Sequence, residues 1–288
     1  MTFIDFFAGI GGFTAGLTQA GMKCVGYCER DKYAVNSYRA IHKPNESEMY
    51  SDDITKLEST AIPHSDGWTA GFPCQDISIV GRRTGLGGRR SGLFFEIVRL
   101  LGGKAEEDRP EWLLFENVKN LLSVNNGYDF TEILYSLSEI GYHCEWDCIN
   151  AKSYVPQNRE RVFIVGHSRS ERCGKVFPVG EASEQTIKQI KAGRQGDRIM
   201  SADGIAASLV STGGGNGGKT GLYRMGNSRI RRLTPLECFR LQGFTDEQFY
   251  AAQNCGNSDN QLYKQAGNGV CVPVVRAIGE KLIKIYKE

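Results

Sequence analysis

The chain has 288 residues, 40% hydrophobic and 24% charged, which is enough apolar material for one large domain or two modest ones. No apolar stretch reaches the length of a membrane span, and Met1 runs directly into Thr2-Phe3-Ile4-Asp5-Phe6-Phe7, which reads as a core strand rather than a signal peptide. A net charge of +2 does not by itself mark a nucleic-acid binder. Nine scattered cysteines without a CxxC pair, beside four histidines, speak against a disulfide framework or a zinc site and for a reducing cytoplasm.

Up to about residue 166 short apolar runs alternate with helical periodicity, the pattern of an α/β fold on a mainly parallel, Rossmann-like sheet. Thr2 to Phe7 is the first expected strand, Gly12 to Gly21 the helix after it, and Met22 to Cys28 the second strand. Another strand ends near Gly67 to Gly71, and Pro110 opens a buried one over Glu111 to Phe115. Phe130, Ile133, Leu134, Leu137 and Ile140 recur at the spacing of one helix face. Strands at His143 to Ile149 and Arg161 to Gly166 complete a first domain, residues 1–166. Residues 167–262 are largely polar and Gly-rich, as in a smaller domain of loops and short strands. Within it Thr234-Pro235-Leu236-Glu237 has the composition of a capping box with proline in the first turn. The last segment, 263–288, carries Val274, Ile278, Leu282 and Ile285 on one helix face and is expected to return to the first domain.

Asp5 to Gly12 turns an apolar strand through glycines into a helix, where backbone can approach a ligand. The spacing is not GxGxxG. Glu29 comes at the end of the second strand, about 20 residues on, where a carboxylate suits ribose hydroxyls. Together they suggest a nucleoside-bearing cofactor; a plain turn with a surface glutamate is the alternative. Asp53 and Ile54 offer a further contact. Cys74, after Pro73 and before a loop of glycines and arginines, is placed to be exposed and reactive, although a lone cysteine is more often structural. Glu116 ends the buried strand, where a carboxyl pKa rises and proton donation becomes feasible, or where it simply caps the next turn. Arg159 and Arg161, if extended, point to one side of a strand and could hold negative charge or pair with carboxylates. Arg82, Arg83, Arg89 and Arg90 cluster in one loop, and Arg224, Arg229, Arg231 and Arg232 in another segment; solvated surface and phosphate-facing edge remain equally open for both.

Seven segments in order resemble the bacterial DNA (cytosine-5)-methyltransferases of restriction-modification systems. They are Asp5 to Gly12, Glu29, Pro73-Cys74-Gln75, Glu116-Asn117-Val118, Gln157 to Arg161, Arg232 to Glu237, and Gln265-Ala266-Gly267-Asn268, and they span nearly the whole chain. The resemblance implies an S-adenosylmethionine-dependent methyltransferase fold with a target-recognition domain at 167–262. It implies methylation at carbon-5 of a cytosine flipped out of duplex DNA, through a covalent Cys74 adduct at carbon-6. Glu116 would protonate or hydrogen-bond ring nitrogen 3, Arg161 would steady the carbonyl oxygen, and Arg159 would hold the loop or the base. Phe7, Ile10, Gly12, Glu29, Asp53, Ile54, Pro73, Leu93 and Asn268 would line the S-adenosylmethionine site, without a metal. The loop from Ile79 to Gly92, with Arg82, Arg83, Arg89 and Arg90, would close over DNA. Gln195 would fill the gap left by the base, with Arg198 and the loop starting at Ser208 as groove contacts. A monomer is the expected state, either beside a cognate restriction endonuclease without a stable complex or standing alone.

Ser208, Asp76, Ile77, Arg30 and Gly269 depart from the commoner family pattern, and none removes a catalytic group. Gly213 to Thr220 matches the phosphate-loop pattern GxxxxGK[ST], but Gly221 to Asn227, directly after it, is a poor helix start, against an NTPase. Two rivals remain: an RNA cytosine-5 methyltransferase with the same core, and a non-catalytic DNA-binding relative.

Overall fold

The structure is a computed structural model describing residues 1–73, 78–79, 90–168, 174–181, 183–194, 196–226 and 228–287. The first five strands of the main sheet are β1 (Thr2–Phe6), β2 (Lys23–Cys28), β3 (Met49–Ser51), β4 (Gly67–Ala70) and, after the short antiparallel pair β5 (Ser78–Ile79) and β6 (Arg90–Ser91), β7 (Trp112–Val118). With β8 (Tyr142–Asn150) and β9 (Glu160–Ser168) they form one sheet in the order β3-β2-β1-β4-β7-β9-β8. The β3-β2-β1-β4-β7 ladders are parallel, and β9 runs antiparallel to both its neighbours.

Side chains alternate across this sheet, and so the helices on both faces find apolar partners. In β7, Trp112 and Leu114 face α1 (Gly12–Gln19) and α8 (Val272–Lys287), packing with Leu17, Val275 and Ile278. Leu113 and Phe115 face α3 (Leu93–Gly102) and α4 (Tyr128–Glu139), packing with Phe94, Leu100 and Ile133. Each such large side chain, taken out of water, contributes about 1.5–3 kcal/mol. The C-terminal helix α8 packs along α1.

Element ends have local causes. The first strand stops at Phe6 because Phe7 takes a left-handed φ of 53°. The buried strand expected to end at Phe115 continues to Val118, because β9 pairs with it as far as Val118 opposite Arg161. Asp31 accepts from Tyr33 N and starts α2 (Lys32–His42).

Beyond β9 lies a four-stranded sheet of β10 (Gln189–Lys191), β11 (Ile199–Ser201), β12 (Leu222–Arg224) and β13 (Ile230–Arg231). Thr234 and Glu237 form the expected capping box of α5 (Pro235–Leu241), followed by α6 (Asp246–Asn254) and α7 (Asp259–Asn268). These helices share a core with Ile10 and Ala15, at the start of the α1 region, and with Met200 and Tyr223 of the small sheet. The boundary expected between 262 and 263 falls inside α7, one hydrogen-bonded helix that does not divide there. Gly213 to Thr220 leads into strand β12 rather than a helix, so the phosphate-loop pattern lacks the helix N-terminus it needs. No described helix is long and apolar enough to cross a membrane.

Candidate active site

The sheet order reverses at β1: β2 and β3 build outward on one side, β4 and β7 on the other. A parallel sheet opens a crevice at the carboxyl ends of its strands where this happens. A cavity of about 830 Å³ lies there, within the size range of small-molecule sites. Its lining comes from strand ends: Phe7 after β1, Glu29 after β2, Asp53 and Ile54 after β3, Pro73 after β4 and Glu116 in β7. Because β9 is antiparallel, its first residues, not its last, reach the same edge, which brings Arg161 in.

The Glu29 end of the cavity is organised by the turn after β1. Gly9 and Gly11 take φ of 57° and 82°, and Gly9 N donates to Glu29 Oε2 at 2.8 Å. Asp31 N donates to Glu29 Oε1 at 2.7 Å, so both carboxylate oxygens are fixed by backbone while keeping lone pairs for a ligand. The Ile10 carbonyl faces His42 Nε2 at 3.0 Å, and a Cβ on Gly11 would meet that nitrogen at 2.1 Å. Burial pushes the His42 pKa down to about 4, so the ring is neutral at physiological pH and donates from Nε2. Asp53 caps the short turn at Ile54, accepting from Thr55 N and Oγ1 at 3.0 and 2.7 Å. Asp5, fully buried below the turn, accepts from Thr14 Oγ1 and Thr69 Oγ1; burial pushes its carboxyl up to about 7.

The other end of the cavity is ionic. Glu116, 9% exposed, meets Arg161 Nε at 3.0 Å. Burial raises the Glu116 pKa, while Arg161 and Arg159 oppose the rise. Its carboxyl is therefore held closer to neutrality than a surface glutamate. Arg159 is 2% exposed and donates to Leu209 O (3.1 Å), Gly267 O (3.1 Å) and Gly269 O (2.7 Å). Burial and then Arg161 lower its pKa to about 9, still charged at neutral pH. Asn117 Nδ2 donates to Phe72 O at 3.0 Å, tying β7 to the strand end that leads into Pro73.

Of the expected cofactor residues, Phe7, Ile10, Glu29, Asp53, Ile54, Pro73, Leu93 and Asn268 line the cavity, as do Glu116, Arg159 and Arg161. Gly12 does not: it lies behind the lining, where a Cβ would meet Val270 O at 2.8 Å. Nor do Ser208 and Arg198, although Leu209, next to Ser208, does. Arg198 lies near the Tyr223 hydroxyl, its buried Nε without a hydrogen-bond partner among the described residues. Cys74, Gln75, Asp76, Ile77, Arg82, Arg83, Arg89 and Gln195 lie outside the described residues, and Arg90 is described only as part of β6. Sequence reasoning missed Lys264, which lines the cavity and pairs with Asp31 at 2.6 Å, and the Val210 to Thr212 wall. The Asp31 partner is 233 residues away, beyond any local pattern. Among the described residues no cluster of His, Cys, Asp or Glu could hold a metal.

Comparison with known proteins agrees with this architecture. Residues 1–197 and 170–284 match the sequence family "C-5 cytosine-specific DNA methylase". The chain is 33% identical to the Type II methyltransferase M.HhaI of Haemophilus parahaemolyticus, covering 96% of this chain and 93% of the relative. It is 35% identical to the Type II methyltransferase M.NlaX of Neisseria lactamica, covering 97% and 95%. In fold it is similar to the S. pombe Dnmt2 methyltransferase, at a TM-score of 0.78 and 19% identity over 99% of this chain and 98% of that one. A cavity at the switch point of a methyltransferase-type sheet, with a fixed carboxylate at one end and a buried glutamate–arginine pair at the other, thus sits in a chain that belongs to the C-5 cytosine-specific DNA methylase family and is an enzyme of the DNA (cytosine-5)-methyltransferase class.

Proposed function

We propose that this chain methylates carbon-5 of a cytosine flipped out of a short duplex DNA site, with S-adenosylmethionine as donor and Cys74 as covalent nucleophile. The observation that carries it is the cavity joining the Glu29 end to the Glu116–Arg161 end, across the mouth of β4 from which Pro73 leads to Cys74.

The residues fit an adenosyl cofactor. Glu29 keeps lone pairs for ribose hydroxyls, and Phe7, Ile10, Ile54 and Leu93 supply apolar wall. Pro73 and Asn268 line the same cleft. When bound, S-adenosylmethionine supplies the methyl group as a sulfonium electrophile.

Carbon-5 of cytosine is too weak a nucleophile by itself. Addition of the Cys74 thiolate at carbon-6 turns the ring into an enamine and makes carbon-5 nucleophilic. Glu116, whose burial favours the protonated form, gives its proton to ring nitrogen 3 as negative charge develops there. Arg161, set by Glu116 on one side and donating to Glu160 O at 2.7 Å, offers its remaining donors to the base carbonyl. Once carbon-5 has taken the methyl group, its proton passes to a base such as water and the carbon-5–carbon-6 double bond re-forms. The carbon–sulfur bond breaks to release the Cys74 thiolate, and ring nitrogen 3 returns its proton to Glu116. A stacked base is out of reach of these groups, which is why flipping is required.

Residues 167–262, which include the small sheet and Arg224, Arg229, Arg231 and Arg232, are the part assigned to target recognition; Gln195, Arg198 and Ser208 belong to it. The loop around Arg82, Arg83, Arg89 and Arg90 is assigned to phosphate. Duplex DNA is the partner, in the cytoplasm, beside a cognate endonuclease. The test is transfer of labelled methyl to duplex DNA with transfer RNA in parallel. 5-Methylcytosine in DNA is the expected product. Label in RNA alone overturns the substrate, and none in either overturns the activity.

A further inference from the structure

The seven residues from Val155 to Arg161 do more than deliver Arg161 to the base. Residues 156–158 lie alongside 206 in a short parallel bridge: Ala206 N donates to Pro156 O and Asn158 N to Ala206 O, both at 2.8 Å. Three residues on, the peptides of Leu209 are held at both poles. Leu209 N donates to Gln157 Oε1 at 3.1 Å, and Leu209 O accepts from Arg159 Nη1 at 3.1 Å. The other ends of these side chains reach the helices behind: Gln157 Nε2 donates to Leu241 O in α5 at 2.9 Å, and Arg159 Nη2 to Gly267 O and Gly269 O around the end of α7. Gln157 is fully buried and Leu209 2% exposed. A Cβ on Gly267 would lie 2.4 Å from the Val210 carbonyl, so the strip beside Leu209 rests directly on α7. Val210, Ser211 and Thr212 then continue as cavity wall.

We propose that Gln157 is a positioning residue for target discrimination. With Arg159 it clamps Leu209 in register, so that the recognition segment and the Arg161 end of the base pocket move as one body. This rests on the cytosine-5 methyltransferase reading. Gln157 touches neither base nor cofactor, and it is absent from the cavity lining. It acts through Leu209. A backbone strip held at N–H and C=O by two side chains of one short segment cannot slide without breaking both buried bonds. A misfit of the recognition segment on a wrong DNA site is thereby passed to the base pocket rather than absorbed in the loop.

The test compares the unaltered chain with Gln157→Met, which deletes both amide contacts at similar length, and Gln157→Glu, which keeps the acceptor for Leu209 N–H. The cognate site is first read from the unaltered chain's product by bisulfite sequencing. Single-turnover methylation is then measured on that site and on singly mismatched sites, beside affinity for S-adenosylhomocysteine. The expected result for Gln157→Met is a cognate-to-mismatch ratio reduced about tenfold, with product affinity within about twofold, since one buried hydrogen bond is worth about a factor of ten. Gln157→Glu should fall between. An unchanged ratio in Gln157→Met overturns the proposal, as does a loss that merely tracks product affinity. Should neither variant fold, hydrogen exchange on the unaltered chain decides: Leu209 N–H should exchange as slowly as the amides of β9, and rapid exchange overturns the clamp. No methyl transfer by the unaltered chain would instead overturn the reading beneath it, leaving the exchange measurement as the test of the clamp.

Discussion

Asp5→Asn is the substitution whose effect the structure dictates most directly. Asp5 is 0% exposed, and burial pushes its pKa from 3.8 up to about 7, against the hydrogen bonds from Thr14 and Thr69 that pull it down. Folding therefore favours the protonated acid. The contribution to stability is complete below about pH 4 and is lost as pH rises through about 7. A shift of this size corresponds to about 4 kcal/mol, undiminished by solvent screening because the group is fully buried. The asparagine has the same shape and no titration. Its oxygen can accept from Thr14, and its amide can donate to Thr69 Oγ1, which is itself within reach of Ile4 O at 3.4 Å. Urea unfolding of both proteins at about pH 5 and about pH 8 should show the variant gaining on the original by about 2.7 kcal/mol between the two, the part of the full effect lost above about pH 5, with the direction set by the raised pKa. Parallel pH dependences, or an original chain that gains on the variant as pH rises, would refute the argument that desolvation outweighs the hydroxyl contacts.

Three further outcomes test the site. Cys74→Ala should abolish methyl transfer while a gel-shift assay finds DNA affinity within a few fold, because the thiol is needed for chemistry and not for grip. Glu116→Gln should lower the single-turnover rate by about 10²–10⁴, the usual worth of a general acid, since the amide keeps the contact to Arg161 but has no proton to give. Asn117→Leu strands the buried Phe72 carbonyl at a cost of about 1–3 kcal/mol and loosens the strand end before Cys74. Its kcat should drop while calorimetric affinity for S-adenosylhomocysteine stays within about twofold.

What the sequence made legible is what local rules control. The strand–glycine–helix start, the capping box at Thr234 and the apolar face of α8 depend on residues within a few positions of one another, and all three are seen. Gly12 shows the limit of that kind of reasoning. A glycine beside a strand-to-helix turn reads as room for a ligand, yet the neighbour that needs the room is Val270, from the far end of the chain.

The two arginines of the Gln157 to Arg161 segment carry the same lesson to the chemistry. Spacing of two along an extended strand implies equivalent side chains pointing together, and both do line the cavity. Arg161 stands in β9 opposite Val118 and meets a carboxylate at 3.0 Å, leaving donors for a base. Arg159 precedes the strand, and three carbonyls take up its two terminal nitrogens. Those carbonyls belong to residues 50, 108 and 110 positions away, so no reading of the local motif could have separated the two roles. The physical difference is donor availability. A buried guanidinium with three of its N–H donors on backbone carbonyls is tied to structure, and one paired with a carboxyl that burial raises toward its neutral form keeps donors for a ligand. On that ground we assign Arg161 to the base of the proposed reaction and Arg159 to the wall that surrounds it.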